Sequence, residues 1–145
     1  APGQELAEHQ LALRLTAAGQ HDEALHFHER VRESAGRIAS YALPYSDALL
    51  RAGRPDDALV IAREVVADHP NMAHAQAWLG RLLLARGDLR EAIVHAEAAR
   101  RSASHWLYRR TLWQYRWMLA RHRVSLAIGR MTRGRGRADA LNRST

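Results

Sequence analysis

The sequence predicts an all-α chain, an α-solenoid of three helical hairpins closed by a long C-terminal helix and followed by a basic tail. Three observations carry that expectation. Gly19, Gly53 and Gly87 stand 34 residues apart and anchor an internal repeat. Ala and Leu dominate the apolar residues while Val, Ile and Thr are sparse, which favours helix over sheet. From His105 to about Ile128 neither Gly nor Pro interrupts the chain, so that stretch reads as one helix. The 145 residues fit a single domain.

The repeat extends well beyond glycine. Ala24, Ala58 and Ala92 recur in the same register, followed by Leu25, Leu59 and Ile93, and then by Val31, Val65 and Ala99. Leu15, Leu49 and Leu83 precede the glycines. In the first helix of the first unit, Leu11, Leu15 and Ala18 fall at i, i+4 and i+7, one helical face. Each glycine then ends its helix, because it takes the left-handed conformation without steric cost. Acids at Asp22-Glu23, Asp56-Asp57 and Glu91 open the next helix, where the macrodipole favours negative charge. Pro55 suits the first position of such a helix. The recurring alanine lets two antiparallel helices approach closely. A hairpin of this kind cannot bury its apolar face alone, and stacking on a neighbour completes the core.

The 34-residue period, with Leu79-Gly80 before Leu83, Gly87 and Ala92, and Pro70 closing the second unit, resembles the tetratricopeptide repeat (TPR) family. The resemblance covers about residues 5–104 and implies TPR-like hairpins over about 5–36, 39–70 and 73–104. The chain thus divides into a solenoid over 1–104, a helix over 105–128 and a basic tail over 129–145. There are departures. Pro44 falls inside an expected helix and should kink it or delay its start to near Leu43. His28 stands where the other units have Ala62 and Ala96, and the first unit runs out through Ser34-Ala35-Gly36 without a closing proline.

The resemblance also implies a concave surface lined by the first helix of each hairpin. Its outward positions map onto His9 and Leu13, onto Leu43, Asp47 and Leu50, and onto His74, Ala77, Arg81 and Leu84. That groove is largely apolar, with Asp47 and Arg81 as charged exceptions, and suits a helix or extended segment with hydrophobic anchors. Family members that bind chaperone C-termini use a clamp of lysines and asparagines. This chain has no lysine, and Pro44 occupies one of the asparagine positions, which argues against that activity.

The C-terminal third is different in charge and in pattern. Residues 1–100 hold 11 Arg against 14 Asp and Glu, net −3, whereas residues 101–145 hold 11 Arg against one acid, net +10. The absence of lysine fits a GC-rich bacterial genome. Along the long helix, Trp106, Trp113, Trp117, Ala120, Val124 and Ile128 share one face, and Tyr108, Leu112, Tyr115, Leu119 and Leu126 another. Arg109, Arg116 and Arg123 recur every seven residues between them. One apolar face is expected to cap the last repeat, and the Trp face is assigned to it. The other, with Tyr108, Leu112, Tyr115 and Leu119, is then left for a partner or for the concave groove. Arg130, Arg133, Arg135 and Arg137 punctuate a glycine-rich tail that reads as flexible.

Chemistry is hard to find. With no cysteine, disulfides, thiolate metal sites and cysteine nucleophiles are excluded. His26 and His28 lie two apart on a helix and point in different directions, and His21 belongs to a turn, so no metal site is expected. The acid pairs sit at helix starts, and Ser40, Ser46, Ser102 and Ser104 have no nucleophile context. The glycines of the tail follow no strand, so they form no phosphate loop. Neither an enzyme nor a cofactor is expected. No window approaches 18 apolar residues and no secretory signal is visible; a cytoplasmic location is favoured.

The expected function is that of a scaffold or adaptor binding another protein, as a subunit of a larger complex or with a second copy of itself. The concave groove, the C-terminal helix or both would hold the partner. One alternative is a nucleic-acid-associated protein whose Arg109, Arg116, Arg123 and tail arginines contact phosphates. Another is docking on an anionic membrane surface, for which arginines lying between two apolar faces are poorly placed.

Overall fold

Each hairpin turns on a glycine, and the three turns are built alike. In the computed structural model, which describes residues 2–103, 105–121 and 123, Gly19, Gly53 and Gly87 have φ of +78°, +76° and +95°. The residue after each donates its backbone N–H to the carbonyl of the leucine five positions back. These bonds run from Gln20 to Leu15 at 3.0 Å, from Arg54 to Leu49 at 2.9 Å and from Asp88 to Leu83 at 2.9 Å. They satisfy carbonyls that the helix end would leave open. A Cβ on any of the three glycines would meet nothing within 4 Å, so the backbone conformation alone demands glycine there.

The turns join α1 (Pro2–Ala18) to α2 (His21–Ala35), α3 (Ala39–Arg51) to α4 (Pro55–Asp68), and α5 (Ala73–Arg86) to α6 (Leu89–Ser102). A seventh helix, α7, covers residues 106–121. Among the described residues there is no strand. The architecture is the predicted all-α solenoid of three hairpins with a further helix at its C-terminal end. Val124, Leu126, Ile128 and the tail arginines Arg130, Arg133, Arg135 and Arg137 lie outside the described residues.

Within each hairpin the helices meet at small residues. Ala24, Ala58 and Ala92 have no exposed surface. In α3, Ser46 is equally buried, and its hydroxyl donates to the Ala58 carbonyl at 2.7 Å. In α5 the same place is taken by Gly80, where a Cβ would stand 3.2 Å from the Ala92 carbonyl oxygen. Ala12 holds the equivalent position in α1, fully buried like Ala24. This turns α1 relative to the expected face. Ala12, Leu15 and Thr16 point inward, whereas Leu11 is 42% exposed and Ala18 lies at the surface. The close approach at position 12 sets which stripe is buried, and hydrophobicity alone does not.

Stacking of hairpins completes the core. Leu25, Leu43, Leu49, Leu59, Val65, Leu79 and Leu83 belong to one buried cluster running through the solenoid. Second helices are stitched by ion pairs, Arg32 with Glu64 at 2.9 Å and Arg63 with Glu91 at 2.8 Å. Both pairs are partly exposed, so each contributes less than about 1 kcal/mol and mainly fixes register. Pro70 follows the end of α4 as expected, and Gly36, at φ +71°, follows α2. Pro55 is the first residue of α4, but Asp56 and Asp57 make no cap hydrogen bond. Asp57 instead accepts from Arg54 Nε at 2.7 Å, leaving the dipole as the acids' contribution. Pro44 does not delay its helix, since α3 begins at Ala39. The carbonyl of Ser40 loses its helical donor to the proline ring, and the exposure of Ser40 leaves it open to water.

The last hairpin is capped by the opposite face of α7 from the one expected. Leu112 and Tyr115 are 5% and 4% exposed and belong to the core cluster. Trp106, Trp113 and Trp117 are 60%, 66% and 49% exposed. Periodicity cannot choose between two apolar faces set on opposite sides of one helix. The ion pair of Arg116 with Glu97 of α6 lies at the edge of the buried face and matches this rotation. The reading of Tyr108, Leu112, Tyr115 and Leu119 as a free partner face is thereby corrected: Leu112 and Tyr115 are core, and Tyr108 and Leu119 are half-buried.

Gly53→Ala is expected to cost roughly 1–2 kcal/mol, the penalty of a left-handed conformation for an L side chain. Ala58→Leu, which forces the helices of the middle hairpin apart, should cost ~2–3 kcal/mol. Urea unfolding midpoints of the two variants check both values and their order.

Candidate partner-binding surface

The first helices lie beside one another along the chain of hairpins. The His9 ring of α1 stands 4.7 Å from that of Tyr41 in α3, and Trp78 Nε1 of α5 donates to Ser46 Oγ of α3 at 2.9 Å. The predicted concave positions therefore form rows across three neighbouring helices. The rows differ in depth. His9 and Leu43 are buried and Ala77 is half-buried, so this row forms the floor. Leu50 and Leu84 are half-buried. The outermost row is Leu13, Asp47 and Arg81, with Leu13 41% exposed, Asp47 half-buried and Arg81 exposed. His74 is exposed at the start of α5.

Both of the charged exceptions expected in the groove, Asp47 and Arg81, fall in that outer row. It offers one apolar, one anionic and one cationic side chain. Asp47 already accepts from Arg51 Nε at 2.7 Å, one turn along the same helix. The Arg81 guanidinium lies 4.7 Å from the centre of the Trp78 ring, which limits its freedom, and the residue is exposed. Tyr115 of α7 lies near Arg81, whose charge partly offsets the upward push of burial on the Tyr115 hydroxyl pKa.

Below the row sits an aromatic cluster of residues drawn from α1, α2 and α3, which no sequence spacing connects. His28 of α2, 2% exposed, has its ring 6.0 Å from His9 and 5.7 Å from Tyr45. His28 Nε2 and His9 Nδ1 are buried without a hydrogen-bond partner. Burial, reinforced by His9 and partly offset by Asp47, pulls the His28 pKa from 6.5 down to about 4. Burial also lowers that of His9. Both rings are therefore neutral near pH 7, and they act as packing groups. Their partner histidines do not gather into a metal site: among the described residues no group of three His, Cys, Asp or Glu could hold an ion.

A second concavity brings together residues that the sequence reading kept apart. Leu84 of the concave set and Leu119 of α7 line one open cleft of about 760 Å³, with Leu89, Met118 and Arg123. It lies where the α5–α6 turn meets α7. Nothing in the repeat period signals it, because it exists only once α7 has docked. Of the arginines on α7, Arg116 is engaged with Glu97, and Arg121 stacks 4.7 Å over the Trp117 ring. Arg109 and Arg123 are exposed.

Comparison with known proteins sets this geometry in context. A family model described as tetratricopeptide repeat matches residues 49–105. No curated protein matches the sequence. Among solved structures, the chain is similar to the Sgt2 TPR domain from Aspergillus fumigatus, with a TM-score of 0.76 at 14% identity, covering 83% of this chain and 82% of that one. It is similar to the first TPR domain of human RPAP3, with a TM-score of 0.76 at 17% identity over 86% and 99% of the two chains. The first TPR of Spaghetti (RPAP3), bound to the HSP90 peptide SRMEEVD, gives a TM-score of 0.74 at 16% identity over 83% and 96%. At these identities the likeness is one of fold.

Stability is expected to fall as pH drops from 6.5 to about 4. In that window the unfolded chain binds a proton at His28 that the folded chain refuses, which corresponds to roughly 3 kcal/mol across the window. His28→Ala, the residue type at this place in the other hairpins, should remove most of that slope. Denaturant midpoints measured from pH 7 to pH 4 check the prediction.

Proposed function

The chain belongs to the tetratricopeptide-repeat family, and on that premise we propose that it is a protein-interaction adaptor that holds a segment of another protein in its concave surface. Folds of this kind are typically interaction modules without catalysis, and the same role is proposed here. The observation that carries the reading is the outer row of Leu13, Asp47 and Arg81, exposed or half-buried on three adjacent helices. A row held by a packed scaffold costs little to order on binding.

The Spaghetti TPR domain, similar in fold, is bound to an HSP90 peptide. The groove of this chain suits a different segment. It has no lysine, and Pro44 stands where the clamp of chaperone-binding relatives has asparagine. The half-buried Leu50 and Leu84 and the exposed Leu13 favour apolar anchors. Arg81, braced on Trp78, supplies a site for one carboxylate. The partner segment would thus be a helix or extended strand with hydrophobic anchors and an acidic residue near its α5 end.

A tagged chain is expected to recover a defined protein at near-equal amount from nuclease-treated native lysate at physiological salt. Leu13→Ser with Arg81→Glu should weaken that recovery by tenfold or more, on the order of 1.4 kcal/mol or above. Neither side chain is in the core, so the unfolding midpoint should hold. Recovery unchanged by the pair of substitutions would place the partner elsewhere.

A further inference from the structure

Among the described residues, the rotation of α7 leaves its tryptophans outside the core. Trp106, Trp113 and Trp117 lie within about 40° of one another around the helix and about 180° from the buried Tyr115. They form a ridge roughly 16 Å long on the outermost side of the solenoid's end. Each is about half exposed or more. The fourth tryptophan, Trp78, is buried and hydrogen-bonded to Ser46. Three indoles aligned on one outward face form an apolar patch of the sort that marks an interaction site.

The charge around the ridge restricts what can cover it. Between His105 and Arg121 the sequence contains no Asp or Glu. Arg109 and Arg116 flank the ridge on one side, and Arg110 and Arg121 on the other. A second copy of this face would set arginine rows against arginine rows, which opposes symmetric self-association. A single nucleic-acid strand follows one line of phosphates, whereas the cations here stand on both sides of a convex ridge. Base stacking is further hindered at Trp117, whose ring is already covered by the Arg121 guanidinium. An anionic surface extended in two dimensions meets every feature at once.

We propose that the outward face of α7 docks the protein on an anionic lipid bilayer surface, with Trp106, Trp113 and Trp117 in the interface and the exposed Arg109 and Arg110 on the headgroups. Indoles favour the boundary between headgroups and acyl chains because they carry an apolar ring and a polar N–H. Arginines beside them extend to anionic headgroups while their stems stay on the apolar side. The objection that arginines are trapped between two apolar faces disappears, because the tyrosine face is buried in the solenoid and one apolar face remains. The docking is peripheral: among the described residues no helix is long and apolar enough to cross a membrane. The concave row stays on other helices, so the two surfaces can be engaged separately.

The test is flotation of the full chain, at physiological salt, with phosphatidylcholine vesicles prepared with or without phosphatidylglycerol. Association with the anionic vesicles, with brominated lipid quenching the indole emission, is the expected result. Trp113→Ala with Trp117→Ala should weaken it by roughly tenfold or more, and Arg109→Gln with Arg110→Gln by about tenfold. All four side chains are exposed, and an unchanged unfolding midpoint certifies the fold. The tryptophan pair leaves every arginine of the chain in place. Flotation that survives it would therefore come from charge alone and overturn the proposal. So would absence from anionic vesicles, or equal binding to neutral ones. Binding to an oligothymidylate that is tighter than to vesicles, and lost with the tryptophan pair, would assign the face to nucleic acid instead.

Discussion

The structure depends on how closely two helices can approach within a hairpin. Where they meet, one side offers Ala12, Ser46 or Gly80 and the other Ala24, Ala58 or Ala92. The distances leave little latitude: Ser46 Oγ bonds the Ala58 carbonyl, and even a methyl at Gly80 would crowd the Ala92 carbonyl at 3.2 Å. That contact fixes the rotation of each first helix. Leu13, Asp47 and Arg81 are the residues immediately after the three small ones. One step along a helix is about 100° of rotation, so a residue placed there is carried from the contact to the open surface. The same contact that closes the hairpin therefore aims the row that a partner would meet.

The repeat made most of the fold legible. Glycines with the left-handed conformation, acids at the starts of second helices and the alanine at 24, 58 and 92 are all local signals with a physical cause. The second half of the small-residue contact was harder to see, because Ala12, Ser46 and Gly80 share a size and no chemistry. A search by residue type overlooks them, and of the expected α1 face of Leu11, Leu15 and Ala18 only Leu15 is buried. The candidate surface was legible only in part. Register located Leu13, Asp47 and Arg81, but depth separates them from His9 and Leu43, and depth depends on neighbours that come from other hairpins.

The two remaining surprises arise where the repeat ends. His28 occupies a place that is alanine in the later hairpins, and its ring packs near His9 of α1 and Tyr45 of α3. Its ring is held neutral by burial, at the cost of a pH-dependent stability. In α7 the sequence supplies two apolar faces and no rule for choosing between them. Docking on the last hairpin selected Leu112 and Tyr115, which join the buried core cluster. What the solenoid did not need was left outside, and in this chain that is a line of indoles among arginines.

The central claim is that partners are held on the concave row rather than on the outer surface of the second helices. Site-specific photo-crosslinking from within the native lysate tests it most directly, with the reactive side chain placed at Arg81 on α5 or at Val60 on α4, which is 54% exposed. A discrete protein adduct from position 81 and none from position 60 is the predicted result. Adducts of the same protein from position 60 with none from 81 would contradict the account and move the binding surface to the opposite side of the solenoid.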